Sequence, residues 1–229
     1  MRVLALTHQD NAPPGGFGDV ARARGHALEV RSFAQGDPPA AGGHDAVMVF
    51  GGSAQLDEPH GWLAGERAFA GDLLDRGVPV LGVCLGGQLL AQAAGADVGP
   101  ARVPEVGWHQ VELTPDARDD PLLAGLPRRF EAFQWHSYGF GLPDDAFALA
   151  YGPGDALQAC RVGESAWAIQ FHAEVTHAIL DGWIEEDGGR ELGDPGALLA
   201  RSQASMPRWN ELGRALCGRF LEFAEGAGR

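Results

Sequence analysis

Apolar residues along this chain fall into two rhythms. The short, nearly unbroken runs Arg2-Val3-Leu4-Ala5-Leu6-Thr7 and Asp45-Ala46-Val47-Met48-Val49-Phe50 have the form of strands buried on both faces. Leu28-Glu29-Val30-Arg31-Ser32-Phe33 alternates as a further strand, and Val78 to Val83 adds another. Between them the loop Asn11 to Gly16 leads into a predicted helix from Phe17 to Arg24. Glu58 to Arg76 sets Trp62, Phe69, Leu73 and Leu74 on one helical face, and Gln88 to Ala94 reads as a third helix stopped by Gly95. Strand, helix, strand, strand, helix, strand, helix is the order of an α/β protein with a doubly wound, mostly parallel sheet. In such sheets ligand sites form at the carboxyl ends of strands.

Beyond Gly95 the rhythm shortens. Val106 to Leu113, Arg129 to Trp135, Phe147 to Tyr151, Leu157 to Val162 and Ser165 to Phe171 are predicted strands separated by Pro, Gly and Asp turns. Thr176 to Glu186 is predicted helical. An acidic, glycine-rich loop through Pro195, a short helix from Gly196 to Arg201 and a terminal helix from about Pro207 to Ala224 follow. Trp209, Leu212, Leu216, Phe220 and Phe223 recur there at helical spacing, as core packing does. The expectation is a single domain over residues 1–229, with a core of residues 1–185 and a helical extension of residues 186–229.

Composition narrows the function classes. A formal charge of −14, with no cluster of Lys and Arg, argues against nucleic acid or anionic membrane as a partner. No apolar run approaches the roughly 20 residues of a membrane span, and the first residues read as a strand, so a cytoplasmic protein is expected. Three scattered cysteines, Cys84, Cys160 and Cys217, suit neither a disulfide framework nor a zinc cluster. Neither a cofactor nor a metal is expected.

Cys84 stands apart from the other two. In Gly82-Val83-Cys84-Leu85-Gly86 a strand meets a helix at a thiol, the form of a nucleophile elbow with cysteine in place of serine. A helix N-terminus favours a thiolate there, and the free N–H of Leu85 would point at an oxygen under attack. A buried core cysteine beside a glycine turn is the plainer alternative. Gly51-Gly52, ending the Asp45–Phe50 strand, is an ordinary turn or a backbone that lends an N–H to an oxyanion.

A second polar cluster ends the last strand: Gln170-Phe171-His172-Ala173-Glu174. Residues two apart on a strand share a face, so His172 and Glu174 can project together toward Cys84. Cysteine, imidazole and carboxylate then supply nucleophile, proton carrier and orienting acid. Taken singly, His172 is a solvated strand-end histidine and Glu174 an acid before a helix; with the elbow they form a constellation. His-x-Glu lacks the helical spacing of zinc peptidases. His8, His26, His44 and His60 are expected on the surface or in loops.

These residues carry a resemblance. Gly82-x-Cys84-x-Gly86-x-Gln88, the earlier Gly51-Gly52 and the late His172-x-Glu174 are similar, in kind and order, to the motifs of class I (triad-type) glutamine amidotransferases. Glu105-Val106-Gly107-Trp108 resembles the stand-alone, GMP-synthase-like members. The resemblance implies a flavodoxin-like three-layer sandwich and attack of Cys84 on the side-chain amide of L-glutamine. A γ-glutamyl thioester would form, with Gly52 and Leu85 N–H groups as oxyanion hole and Gly51 and Gln88 at the substrate. It also implies that Gln134 to Tyr138 is a glutamine-clamping loop, with His136, Ser137 and Tyr138 at the pocket and His136 not in the triad, because no acid follows it two residues on. Ala173 replaces the usual proline, which loosens the backbone, and Gly87 replaces a larger residue and is expected to alter the pocket wall.

No synthase domain is read in these residues, so the first expectation is a glutaminase delivering ammonia to a separate synthase subunit. A self-sufficient hydrolase or peptidase acting on a γ-glutamyl compound with the same triad is the alternative. A non-catalytic regulatory module, or another cysteine-elbow α/β protein, fits the intact triad and Gln88 less well.

Overall fold

Strand β1 (Arg2–Leu6) buries both its faces: Val3 and Ala5 join one hydrophobic core, Leu4 and Leu6 the other. The same division by alternate residues runs through β3 (Ala46–Val49), β4 (Val80–Val83) and β9 (Ala166–Ile169), which explains why these segments read as unbroken apolar runs. The computed structural model describes residues 1–40, 42–187 and 194–227. Its nine-stranded sheet has the order β2-β1-β3-β4-β9-β8-β7-β5-β6, with β2 at Ala27–Arg31, β5 at Val98–Leu113, β6 at Arg129–Phe140, β7 at Ala146–Tyr151 and β8 at Leu157–Val162. The pairings from β2 through β1, β3 and β4 to β9 are parallel, and those from β9 through β8, β7 and β5 to β6 are antiparallel.

Helices cover both faces of the parallel half. Helices α1 (Gly15–Ala23), α4 (His177–Asp187) and α5 (Pro195–Ala227) close the core that holds Phe17, Leu180, Trp209 and Phe220. Helices α2 (Leu63–Asp75) and α3 (Leu85–Ala93) close the other around Leu73, Leu89 and Leu90.

Three expectations change. The predicted helix from Glu58 begins only at Leu63, after turns. Residues 134–138 are strand, not loop: β6 runs to Phe140, pairing Gln134, Trp135 and His136 with Gly107, Val106 and Glu105. The short helix and the terminal helix are one continuous α5, with Pro207 inside it. A mid-helix proline costs about 3 kcal/mol, and buried contacts on both sides offset that. Trp108 Nε1 donates to Ser202 Oγ at 2.9 Å before it, and Trp209 Nε1 donates to the His172 carbonyl at 2.9 Å after it. Residues 188–193 of the acidic loop lie outside the described residues. Among the described residues no helix is long and apolar enough to cross a membrane.

Candidate active site

The parallel strands β1, β3, β4 and β9 end at one rim of the sheet, and His8, Gly51-Gly52, Cys84 and His172 follow them there. Cys84 is the turn between β4 and α3, with φ +51° and ψ −112°, a conformation that L-residues resist. Its N–H donates to the Ile169 carbonyl and its carbonyl accepts from Gln88 N–H, each at 2.8 Å, so strand and helix hold it from both sides. The flanking glycines are required by space: a Cβ on Gly82 would lie 2.5 Å from the Gly86 carbonyl oxygen, and one on Gly86 would lie 2.1 Å from that of Val49. As the first residue of α3, Leu85 leaves its N–H without an intrahelical partner.

The imidazole of His172 sits between carboxylate and sulfur. Nδ1 is 2.8 Å from Glu174 Oε1, and Nε2 has no hydrogen-bond partner. Burial, the largest influence, disfavours the imidazolium. The Glu174 carboxylate and the charge of the neighbouring Cys84 outweigh it and push the His172 pKa up to about 10. The backbone is fixed as well: His172 N–H donates to the Phe133 carbonyl at 2.9 Å, and the Glu174 carbonyl accepts from Gly16 N–H at 2.8 Å. The looseness expected of Ala173 is absent, because α5 clamps the segment through Trp209 to the His172 carbonyl and through Asn210 Nδ2 to the Val175 carbonyl at 2.7 Å.

A cavity of about 300 Å³ opens over the thiol, at the lower end of the range for small-ligand sites. Gly52, Cys84, Leu85, Gln88, His136, Ser137, Tyr138 and His172 all line it. Gly51 lies behind the wall, where an added Cβ would sit 3.0 Å from His172 Cε1 and 3.6 Å from Cys84 Cβ. Gly87 also faces away from the cavity, with its Cβ direction 2.8 Å from the Ile169 carbonyl oxygen, so it sets how closely α3 packs on β9. His136 is occupied elsewhere: Nδ1 donates to the Tyr138 carbonyl at 2.9 Å and Nε2 lies 3.1 Å from Glu105 Oε2. Glu105 is held below the usual carboxylate range because His136, Gln158 and His109 together outweigh its burial, the largest single influence.

Sequence reasoning missed several contributors. Gln170 is buried just past the end of β9, two residues before His172; its amide donates to Cys84 Sγ at 3.5 Å and its oxygen accepts from Gln88 Nε2 at 3.3 Å. A glutamine ending an apolar strand one side-chain period before the histidine was the available signal. Trp183 packs edge-on to the His172 ring, centroids 4.8 Å apart. His8, expected on the surface or in a loop, lies outside the strands just after β1, but its side chain is only 2% exposed and paired with Glu66. His26 and His44 are also largely covered, each against a glutamate, Glu225 and Glu29. Cys160 and Cys217 are fully buried, and burial pushes both thiols up to about 12.

A doubly wound sheet with a cysteine elbow beside a histidine–glutamate strand end is the arrangement of a glutamine amidotransferase-like protein. The chain belongs to the family of class-I glutamine amidotransferases, whose model matches residues 19–188. It is 29% identical over 218 residues to the glutamine amidotransferase-like protein YfeJ of Salmonella typhimurium, covering 92% of this chain and 91% of that protein. It is 32% identical over 197 residues to the glutamine-hydrolysing GMP synthase of Aeropyrum pernix, covering 83% of this chain and 36% of the longer protein. It is also 32% identical over 155 residues to one subunit of the glutamine-hydrolysing GMP synthase of Ignicoccus hospitalis, covering 67% of this chain and 78% of that one. The crystal structure of a glutamine amidotransferase from Thermotoga maritima superposes with a TM-score of 0.89 at 27% identity, over 97% of this chain and 98% of that one.

Proposed function

We propose that the chain hydrolyses the side-chain amide of L-glutamine through a γ-glutamyl thioester on Cys84 and releases ammonia to a separate synthase subunit in the cytoplasm. The observation that carries this reading is His172, held by Glu174 at 2.8 Å on one nitrogen and open toward the Cys84 sulfur on the other.

In the reaction the thiol proton rests on His172 Nε2 and the thiolate attacks the amide carbon. The developing oxyanion is met by the Gly52 and Leu85 N–H groups, an interaction for which loss of one donor costs about 2.7–4 kcal/mol. His172 gives its proton to the departing nitrogen, which leaves as ammonia. It then takes a proton from water, which attacks the thioester and frees glutamate and the thiol. Glu174 keeps Nδ1 protonated throughout, so the carrying nitrogen is always Nε2. Gln88 and the backbone of His136, Ser137 and Tyr138, all at the cavity lining, hold the substrate. The separate synthase is supported by the likeness to a protein that is itself one subunit of GMP synthase.

The test is glutamate and ammonia release by the purified chain offered L-glutamine, or a panel of γ-glutamyl amides and peptides, with Cys84→Ser as blank. Glutamine turnover without turnover of the larger amides is the expected result. Rapid turnover of a γ-glutamyl peptide with little of glutamine would replace the glutaminase with a self-contained γ-glutamyl hydrolase.

A further inference from the structure

His8 and Glu66 form a second buried polar pair at the same rim of the sheet, and the reaction just described leaves it without a task. His8 follows β1 and Glu66 lies in the first turn of α2; their side chains are 2% and 1% exposed. Burying two titratable groups without function is costly. His8 Nδ1 lies 3.3 Å from the Gly51 carbonyl oxygen and Nε2 lies 3.1 Å from Glu66 Oε1. A carbonyl only accepts, so Nδ1 carries a hydrogen, and Nε2 faces the Glu66 carboxyl group.

Peptide geometry links this pair to the cavity. The Gly51–Gly52 peptide is trans, since no cis bonds occur among the described residues, so its C=O and N–H point in opposite directions. With the carbonyl turned to His8, the Gly52 N–H points away from His8, and Gly52 lines the cavity with Cys84 while His8 does not. Two adjacent glycines offer little resistance to rotation of the peptide between them. His8 also packs against this spot: a Cβ on Gly52 would meet His8 Cβ at 2.8 Å.

We infer that His8 and Glu66 are positioning residues that set the Gly51–Gly52 peptide with its N–H aimed at the tetrahedral oxyanion on Cys84. This rests on the thioester mechanism proposed above and assigns the device that orients one of its two oxyanion donors. Glu66 acts through the histidine. Without a partner on Nε2 the neutral ring can move its hydrogen there, and the bare Nδ1 then faces the Gly51 carbonyl lone pairs.

Two reactions of Cys84 separate this role from general damage. Acylation by 4-nitrophenyl acetate passes through a tetrahedral oxyanion and releases 4-nitrophenolate as the thioester forms. Alkylation by iodoacetamide displaces iodide directly and needs no oxyanion donor. Neither requires a synthase. In His8→Ala and Glu66→Ala, acylation is expected to fall roughly 10²- to 10³-fold, the loss seen when one oxyanion donor is removed, while alkylation stays within about twofold of the wild-type chain. Glu66→Gln, whose amide can donate to His8 Nε2, restores acylation to within about tenfold of wild type, a rescue that a merely structural loss would not show. Unchanged acylation in both alanine variants, or equal loss of acylation and alkylation, overturns the inference and leaves the thioester mechanism standing. Alkylation of wild-type Cys84 with no acylation would instead overturn the mechanism, and the inference with it.

Discussion

Gly213 sets two rules of protein chemistry against each other. It lies within α5, where replacing glycine by alanine ordinarily gains about 1 kcal/mol of helix stability. A Cβ there would lie 2.0 Å from the Ala173 carbonyl oxygen and 3.1 Å from its carbon. To reach even 3.0 Å, α5 or the His172–Glu174 segment must retreat by about 1 Å, since both atoms belong to packed backbone. The retreat pulls on the bonds from Trp209 to the His172 carbonyl and from Asn210 to the Val175 carbonyl, 2.9 and 2.7 Å long. Overpacking costs about 1–3 kcal/mol and each of the two weakened hydrogen bonds about 1 more, so after the helix gain Gly213→Ala is expected to destabilise by about 2–4 kcal/mol. A shift of about 1 Å at His172 costs about 10²-fold in turnover, near 2.7 kcal/mol of barrier. Urea unfolding gives the first quantity and glutamate release the second. Gly218→Ala in the same helix, whose nearest neighbour is Arg24 Nη1 at 4.0 Å, serves as reference and is expected to stabilise by about 0.5–1 kcal/mol. A Gly213→Ala chain as stable as Gly218→Ala and fully active would refute the claim that α5 holds the His172–Glu174 segment in place.

Other expectations are more direct. Under native conditions iodoacetamide should label Cys84, which lines the cavity, and spare Cys160 and Cys217, both fully buried; peptide mapping with appreciable label on Cys217 would contradict this. Gln170→Leu removes the amide that donates to the Cys84 sulfur, and labelling of Cys84 at pH 7 should slow about tenfold to a hundredfold, as expected for one hydrogen bond to a charged atom. The His172 pKa, near 10 in the fold, lies above the unfolded value near 6.5, so its contribution to stability is fully present below about pH 6.5 and is lost as pH rises through 10. The thermal midpoint of the wild-type chain relative to His172→Gln should therefore fall between pH 6 and pH 10, and a constant or widening difference would show that the imidazolium is not the stabilised form.

Most of the parallel half of the fold was legible because β1, β3, β4 and β9 are buried on both faces and therefore read as plain apolar runs. The Cys84 elbow was legible for a related reason: close backbone approach at Gly82 and Gly86 excludes any side chain, so the spacing itself carries the geometry. Boundaries set by tertiary contact were not. Pro207 predicts a break, yet the stripe Ser202, Met206, Trp209 and Gly213 stays buried across it and the helix continues. The pattern predicts strand only as far as Trp135, and the loop over Gln134 to Tyr138 comes from the resemblance; pairing with β5 carries the strand on through His136 and Tyr138. His8 and Glu66 are 58 residues apart, and neither has a neighbour in sequence that hints at the other; long-range burial of a titratable pair has no local signature.

The central claim is that Cys84 carries the γ-glutamyl group, and acid-quenched intact-mass analysis during turnover of glutamine tests it most directly. The account predicts a γ-glutamyl adduct that maps to the Cys84 peptide, disappears with hydroxylamine and is missing in Cys84→Ser. Glutamate release that continues in Cys84→Ser, with no adduct on the wild-type chain, would contradict it.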